Sequence, residues 1–160
     1  MTELTVKQVQ ELQELRIRDQ IDGLQNFLCE AVASGIPQPE LPLKHSFTDG
    51  IYVREIFIPA QTFVVGKIHR HAHLNYITKG KVTVLTKSGR ETLEGPCTIF
   101  SEAGTKRALF CHTDTIWTTV HANPTNETDI DKLEEIMLTP DYTPFPLLAG
   151  EDQILIGALI

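Results

Sequence analysis

The middle of the chain is divided into short stretches of strand-forming residues by frequent turn signals. Val, Ile, Thr, Tyr and Phe are enriched in seven stretches, and Gly, Pro, Asp or Ser residues stand between them. The seven predicted strands cover residues 51–58, 62–68, 73–78, 81–86, 97–100, 105–111 and 115–121. Strands this short, repeated about every 8–12 residues, indicate an antiparallel sandwich or barrel. We therefore expect a mainly β domain over residues 49–122.

The N-terminal part of the chain, residues 1–35, predicts a helix instead. Thr5 followed by Gln8 forms a capping-box pattern, and apolar residues then recur at a spacing of about 3.6. The amphipathic helix is expected over residues 5–34. Its apolar face has two candidate partners, the barrel of its own chain and a neighbouring subunit. The Pro-rich stretch 36–48 is expected to form an extended linker.

The C-terminal part, residues 123–160, predicts a short helix followed by an extended tail. The helix is expected over residues 128–138, and several prolines follow it. The last residues, 154–160, are strongly apolar and need a surface to dock on, either their own barrel or a neighbour. Because both ends of the chain resemble oligomer-building arms, we expect a homo-oligomer that is at least a dimer.

Composition limits the partners and the location. A net charge of −7 argues against binding to nucleic acid or to an anionic membrane, since both need Lys and Arg patches. Three cysteines without paired spacing fit a reducing compartment. The N-terminus has no apolar signal region, and no apolar run approaches the ~20 residues that span a bilayer. We therefore expect a cytoplasmic protein.

Three histidines at alternate positions mark the candidate site. His69, His71 and His73 would point to one face of an extended strand. Neutral imidazole is a good ligand for divalent transition metals, so the run predicts a site for an ion such as Zn, Fe, Mn or Ni. His121 follows Trp117 at the end of the last predicted strand, and we expect it to be a surface or edge histidine.

Two segments of the predicted barrel have the spacing of a known pair of motifs. In the first, His69 and His73 precede Gly80 in a strand-and-turn pattern that is similar to the first motif of the cupin superfamily. That motif has a His-x-His pair, then Glu or Gln, then Gly. Counted back from Gly80, His69 takes the place of the second His and His73 that of the Glu or Gln. The resemblance covers residues 50–122 and implies a cupin-type jelly-roll barrel. The chain is also similar to small cupin-like proteins encoded by phages.

The second motif departs from the family pattern. Gly104 fits it, but Arg107 stands where the family has a ligand His and Cys111 where it has Asn. Lys67 stands where the first His of the other motif is expected. Two cations at ligand positions would repel a metal ion and favour a small anionic ligand. Tyr76 is expected near the histidines, where it would hydrogen-bond a ligand or belong to the core.

The resemblance leaves three functions open. The first is a small-molecule or metal-binding protein with a His-rich pocket. The second is a metal-dependent enzyme, such as an isomerase, dioxygenase or lyase, that acts on a small polar substrate and uses Arg107 to orient it. The third is a structural or assembly protein, of a phage for example, that uses the barrel as a scaffold; its location would then be the host cytoplasm or the virion. For Cys111 the alternatives are a reactive thiol beside Arg107 and a buried structural residue.

Overall fold

A computed structural model of the chain describes residues 5–145. Its first element is the long helix α1, Val6–Ala33. The helix begins at Thr5, whose side chain accepts a hydrogen bond from the backbone N–H of Gln8, in the predicted capping box. It ends before Gly35, which has a φ of +90° that suits glycine. The N-terminal helix is therefore confirmed.

Eleven strands and a second helix follow in the described part of the chain. The strands are β1 Leu43–Thr48, β2 Gly50–Ile58, β3 Thr62–Val65, β4 Ile68–His69, β5 His73–Lys79, β6 Lys81–Thr86, β7 Gly89–Glu94, β8 Cys97–Ser101, β9 Ala108–Cys111, β10 Thr115–Asn123 and β11 Leu138–Thr139. The second helix, α2 Ile130–Met137, lies between β10 and β11. It begins at Asp129, whose carboxylate accepts hydrogen bonds from two backbone N–H groups of the first turn.

The strands form two facing antiparallel sheets. One has the order β1-β2-β10-β5-β8 and the other the order β3-β9-β6-β7, while β4 and β11 form a separate pair. The chain crosses between the two large sheets after β2, β5, β7, β8 and β9, and it returns from β3 to β5 by way of β4. This strand order is that of a jelly roll. The predicted fold class, a mainly β jelly roll preceded by a helix and followed by a short helix, is confirmed.

Three strands appear where the sequence did not indicate them, and one of these is the short β11 at the end of the predicted second helix. β1 lies within the stretch 36–48 that was interpreted as a linker, and β7 lies between two predicted strands. Both are edge strands that pair on one side only. Their residues are mostly exposed, so neither segment carries the apolar alternation of a half-buried strand. The predicted strand 62–68 divides into β3 and β4 near Gly66, whose N–H bonds the carbonyl of Arg107.

The core has two parts. The larger part lies between the sheets and contains Ile58, Ile77, Val82, Val84, Leu109, Cys111 and Trp117. The smaller part contains Tyr52 of β2 with Leu133 and Met137 of α2. The helix α2 therefore covers one end of the barrel, and this end contains the histidines described below.

The helix α1 packs on its own barrel through one fully buried residue. Ile21 is 1% exposed, and the helix contacts β3 and β6. Phe27 on the same helix is 65% exposed. Within residues 5–145, no helix is long and apolar enough to cross a membrane. The apolar end of the chain, 154–160, lies outside the described residues.

Candidate metal centre

Three histidines from three different strands meet inside the barrel. His69 lies on β4, His73 begins β5 and His121 lies near the end of β10. Their ring centroids are 4.2 Å (His69 to His73), 4.8 Å (His73 to His121) and 5.2 Å (His69 to His121) apart. One ring nitrogen of each lies within 4.8 Å of a ring nitrogen of the others, so the three offer converging ligand atoms. We call them the histidine triad.

The alternation of strand residues places two of these side chains. On β5, His73, Asn75 and Ile77 are buried and the residues between them are more exposed. On β10, the residues at alternate positions from 115 to 123 are buried, and His121 is one of them. The two strands are neighbours in the same sheet. Side chains that face inward on adjacent strands therefore meet at the same end of the barrel.

His69 is placed by backbone bonds on both sides of β4. Its carbonyl accepts from the N–H of Gly104 at 2.8 Å, and its own N–H donates to the carbonyl of Thr105 at 3.3 Å. On the other edge, β4 pairs with β11, in which Leu138 lies opposite His69. The strand that carries this ligand is thus fixed to the segment that follows α2.

Burial keeps the triad neutral. Desolvation, together with smaller contributions from the neighbouring His73 and His121, lowers the pKa of His69 to about 2. Desolvation likewise lowers the pKa of His121 to about 3 and lowers that of His73. Arg54 on β2 is a further positive charge that disfavours protonation of all three. Neutral imidazole is the form that coordinates metals.

Two nitrogens of the triad are buried and have no hydrogen-bond partner within residues 5–145. These are Nδ1 of His69 and Nε2 of His73. The other ring nitrogen of His73, Nδ1, lies 3.0 Å from the backbone carbonyl of His71. A carbonyl can only accept, so Nδ1 carries the proton and Nε2 presents its lone pair to the triad. Metal-ligating histidines are oriented by bonds of this kind, so the donor set fits a bound transition metal.

The structure assigns different positions to the predicted ligands. His69 and His73 belong to the triad, whereas the side chain of His71 is exposed and only its carbonyl takes part. His121 was expected at the surface, and this expectation is wrong, because its side chain is only 6% exposed. The alternation on β10 would have identified it, since Trp117, Thr119 and His121 are two residues apart and Trp117 is buried.

Arg107 is buried beside the triad in a polar network. It is 8% exposed, and its guanidinium lies 5.5 Å from the ring centroid of Trp117. Its Nη2 donates to Oγ of Ser101, which also accepts from Asn75 at 2.7 Å. Its Nε has no hydrogen-bond partner. Burial lowers the pKa of Arg107 to about 10, so it stays charged at neutral pH, and it forms no ion pair within residues 5–145.

The other predicted ligand-binding residues lie away from the triad. Lys67 is exposed and pairs with Glu134 of α2. Tyr76 alternates with the buried residues of β5 and therefore points to the other face of its sheet. Cys111 is fully buried in the larger part of the core. Burial raises the pKa of its thiol, which favours the buried structural residue over the reactive thiol beside Arg107.

A small cavity separates the triad from α2. Its volume is about 20 Å³. His69 and His121 line one side, Leu133 and Met137 of α2 cover it, and Tyr52 and Arg54 of β2 complete it. Tyr52 stacks on His121, and its hydroxyl bonds Nδ1 of His45 at 2.7 Å. The ring of Tyr52 therefore closes the cavity on the β2 side.

No family model matches the sequence, and no curated protein does. Solved structures similar to this one include a cupin domain from Bordetella pertussis, with 12% identity over 56% of this chain and 99% of that chain and a TM-score of 0.44. KdgF from Halomonas sp. has 12% identity over 60% of this chain and 87% of that chain, with a TM-score of 0.49. A cupin superfamily protein from Desulfitobacterium hafniense has 9% identity over 54% and 81%, with a TM-score of 0.46. The likeness concerns the fold alone.

Proposed function

We propose that this protein binds one divalent transition-metal ion through His69, His73 and His121. The observation that carries the proposal is the pair of buried imidazole nitrogens, Nδ1 of His69 and Nε2 of His73, that have no hydrogen-bond partner. A buried polar atom without a partner costs about 1–3 kcal/mol, and a metal ion at this position would remove that cost. Three imidazoles without a carboxylate favour Zn, Fe or Ni over Mn and Mg.

We further propose that a small anion accompanies the metal. Three neutral ligands leave a bound ion with its full charge of +2 inside the barrel. Arg54 and Arg107 add two positive charges close by, and neither forms an ion pair within residues 5–145. An anion bound to the metal would reduce this accumulation of positive charge. The sequence predicted a small anionic ligand from Arg107 and Lys67. The position of Arg107 beside the triad supports this ligand, whereas Lys67 is exposed and pairs with Glu134.

Metal content and affinity test the first proposal. Untagged protein is incubated with excess Zn²⁺, freed of unbound ions and subjected to elemental analysis. We expect about one equivalent per chain, and we expect His121→Ala to weaken the affinity at least tenfold in a competition titration with a chelator dye. His71→Ala is the matched control, because its ring is exposed and is not one of the three that offer converging ligand atoms.

Two outcomes would contradict the metal proposal. One is a wild-type protein that retains less than a tenth of an equivalent. The other is equal loss of affinity in His71→Ala and His121→Ala. Circular dichroism shows whether His121→Ala still folds, and His121→Gln, which keeps more of the side-chain volume, replaces it if it does not.

We also propose that the protein is at least a dimer that uses α1 as an interface. Phe27 and Val6 are 65% and 76% exposed on this helix, which buries only Ile21 fully. Covering exposed apolar side chains of a helix with a second subunit removes their surface from water and therefore stabilises a dimer. Light scattering should give a multiple of 17.9 kDa, and Phe27→Glu should shift it toward the monomer. Phe100→Glu, at a 66% exposed residue of β8, is the control. A wild-type monomer at micromolar concentration would refute this proposal.

A further inference from the structure

The helix α2 covers one side of the histidine triad. Leu133 and Met137 of α2 are 1% and 5% exposed, and they cover the cavity next to the triad. The cavity of about 20 Å³ has room for roughly one water molecule. Any ligand that reaches the metal from this side must therefore fit a space of that size or displace α2.

The covering helix is fixed to the same strand that carries a ligand. The N–H of Arg70 donates to the carbonyl of Met137 at 2.8 Å, and its Nε donates to the carbonyl of Leu138 at 2.6 Å. Next to these bonds, β11 pairs with β4, and Lys67 pairs with Glu134. These contacts join both the body and the end of α2 to the segment around His69. Opening the cavity therefore requires several bonds to break together.

The charges that face the cavity select the sign of its ligand. Arg54 lines the cavity and has no acidic partner within residues 5–145. Glu134 lies at the edge, and its carboxylate is already paired with Lys67. The remaining lining side chains are apolar or aromatic apart from the triad. A metal ion held by neutral imidazoles beside Arg54 would attract an anion more strongly than a neutral molecule.

We propose that α2 restricts the exogenous ligand of this centre to an anion of one or two heavy atoms and excludes ring-sized molecules. The inference rests on the metal proposal above. It assigns Met137 and Leu133 the role of a size filter, whose side-chain volume limits how large a ligand can be, while Arg54 and the metal ion favour an anion.

Co²⁺ provides the test, because its visible spectrum reports the ligands of the metal. The Co²⁺-loaded protein is titrated separately with cyanide, an anion of two heavy atoms, and with imidazole, a neutral five-membered ring. We expect cyanide to change the spectrum of the wild type, with Co²⁺ still bound after desalting, and imidazole to leave it unchanged. In Met137→Ala, we expect imidazole to change the spectrum at concentrations at least tenfold below the highest one that leaves the wild type unchanged.

Ile136→Ala is the matched control. Its side chain lies on the same helix, is 46% exposed and does not line the cavity, so the variant should behave like the wild type. Met137→Val serves as a second variant if Met137→Ala does not fold. The size filter is refuted if imidazole binds the wild type as tightly as Met137→Ala, or if cyanide leaves the wild-type spectrum unchanged. Failure of the metal proposal is distinguishable, because the wild type would then give no protein-bound Co²⁺ spectrum.

Discussion

Lowering the pH from 7.5 to 5.5 should destabilise the metal-free protein by about 3 kcal/mol through His69 and His121 alone. In the unfolded chain both residues have the ordinary histidine pKa of 6.5, whereas burial in the folded chain lowers these pKa values to about 2 and about 3. Below pH 6.5 the unfolded state therefore binds protons that the folded state does not. The stability is present above pH 6.5 and is lost as the pH falls.

The size of this loss of stability is set by how far the pH lies below the histidine pKa of the unfolded chain. At pH 5.5 the solution is one unit below the pKa of each histidine in the unfolded chain. Protonation of that histidine then stabilises the unfolded state by about 1.4 kcal/mol relative to pH 7.5. His73, whose pKa is also lowered by burial, adds to the loss in the same direction. Exposed carboxylates also titrate toward this range, so the test must compare variants and not absolute stabilities.

Urea unfolding of chelator-treated protein at the two pH values measures the loss. The single Trp, Trp117, is 5% exposed and reports unfolding through its fluorescence. We expect His121→Gln to reduce the pH-dependent loss by about 1.4 kcal/mol and the double variant His69→Gln/His121→Gln to reduce it by about 3 kcal/mol. His71→Gln, at an exposed residue, should leave it unchanged. A double variant with the same pH dependence as the wild type would show that these histidines are not buried in their neutral form.

Three further predictions follow from the same structure. Zn²⁺ at one hundred times its dissociation constant should raise the free energy of unfolding by about 2.7 kcal/mol, measured by urea unfolding at pH 7.5; no change would mean that folded and unfolded chains bind it equally. Gly80→Ala should cost about 3 kcal/mol, because φ is +110° and a Cβ would lie 2.5 Å from Oγ1 of Thr115. Gly89→Ala, with the same φ and open space around it, should cost about 1 kcal/mol, and equal costs would contradict the steric argument. Cys29 is exposed and should react with a thiol reagent within minutes, whereas Cys111 should react only after unfolding. Two thiols remain in Cys29→Ser. Rapid reaction of one of them would come from Cys97, and rapid reaction of both would disprove the burial of Cys111.

The fold could be predicted because its information is local. Strands such as β6, with Val82 and Val84 buried at alternate positions, carry alternating apolar residues between turn residues, and this pattern depends on neighbours in the sequence. The edge strands β1 and β7 could not be predicted in the same way. Each pairs with one neighbour, faces solvent along most of its length and therefore has no apolar alternation.

The candidate site could be predicted only in part, because its third histidine is distant in the sequence. His69 and His73 lie in one short run, whereas His121 reaches them through the pairing of β10 with β5, in which Val120 lies opposite Leu74. The local pattern therefore predicted His71 as a ligand, because it lies between His69 and His73 in the sequence. It missed His121, which lies close to these two residues only in the folded chain. Strand alternation counted from Trp117 contains the missing information, since it gives His121 the buried face of its strand.

The two cations near the motif illustrate how a break in a strand changes the outcome. In a regular strand Lys67 and His69 would share a face, and the lysine would enter the site. The chain instead leaves the sheet between β3 and β4, and Lys67 turns outward to Glu134. Arg107 has no such exit, because its carbonyl is bonded to Gly66 and its side chain is enclosed by Ser101 and Trp117. Arg107 therefore remains as a fixed positive charge beside three neutral imidazoles, and together with Arg54 it is the physical reason to expect an anion with the metal.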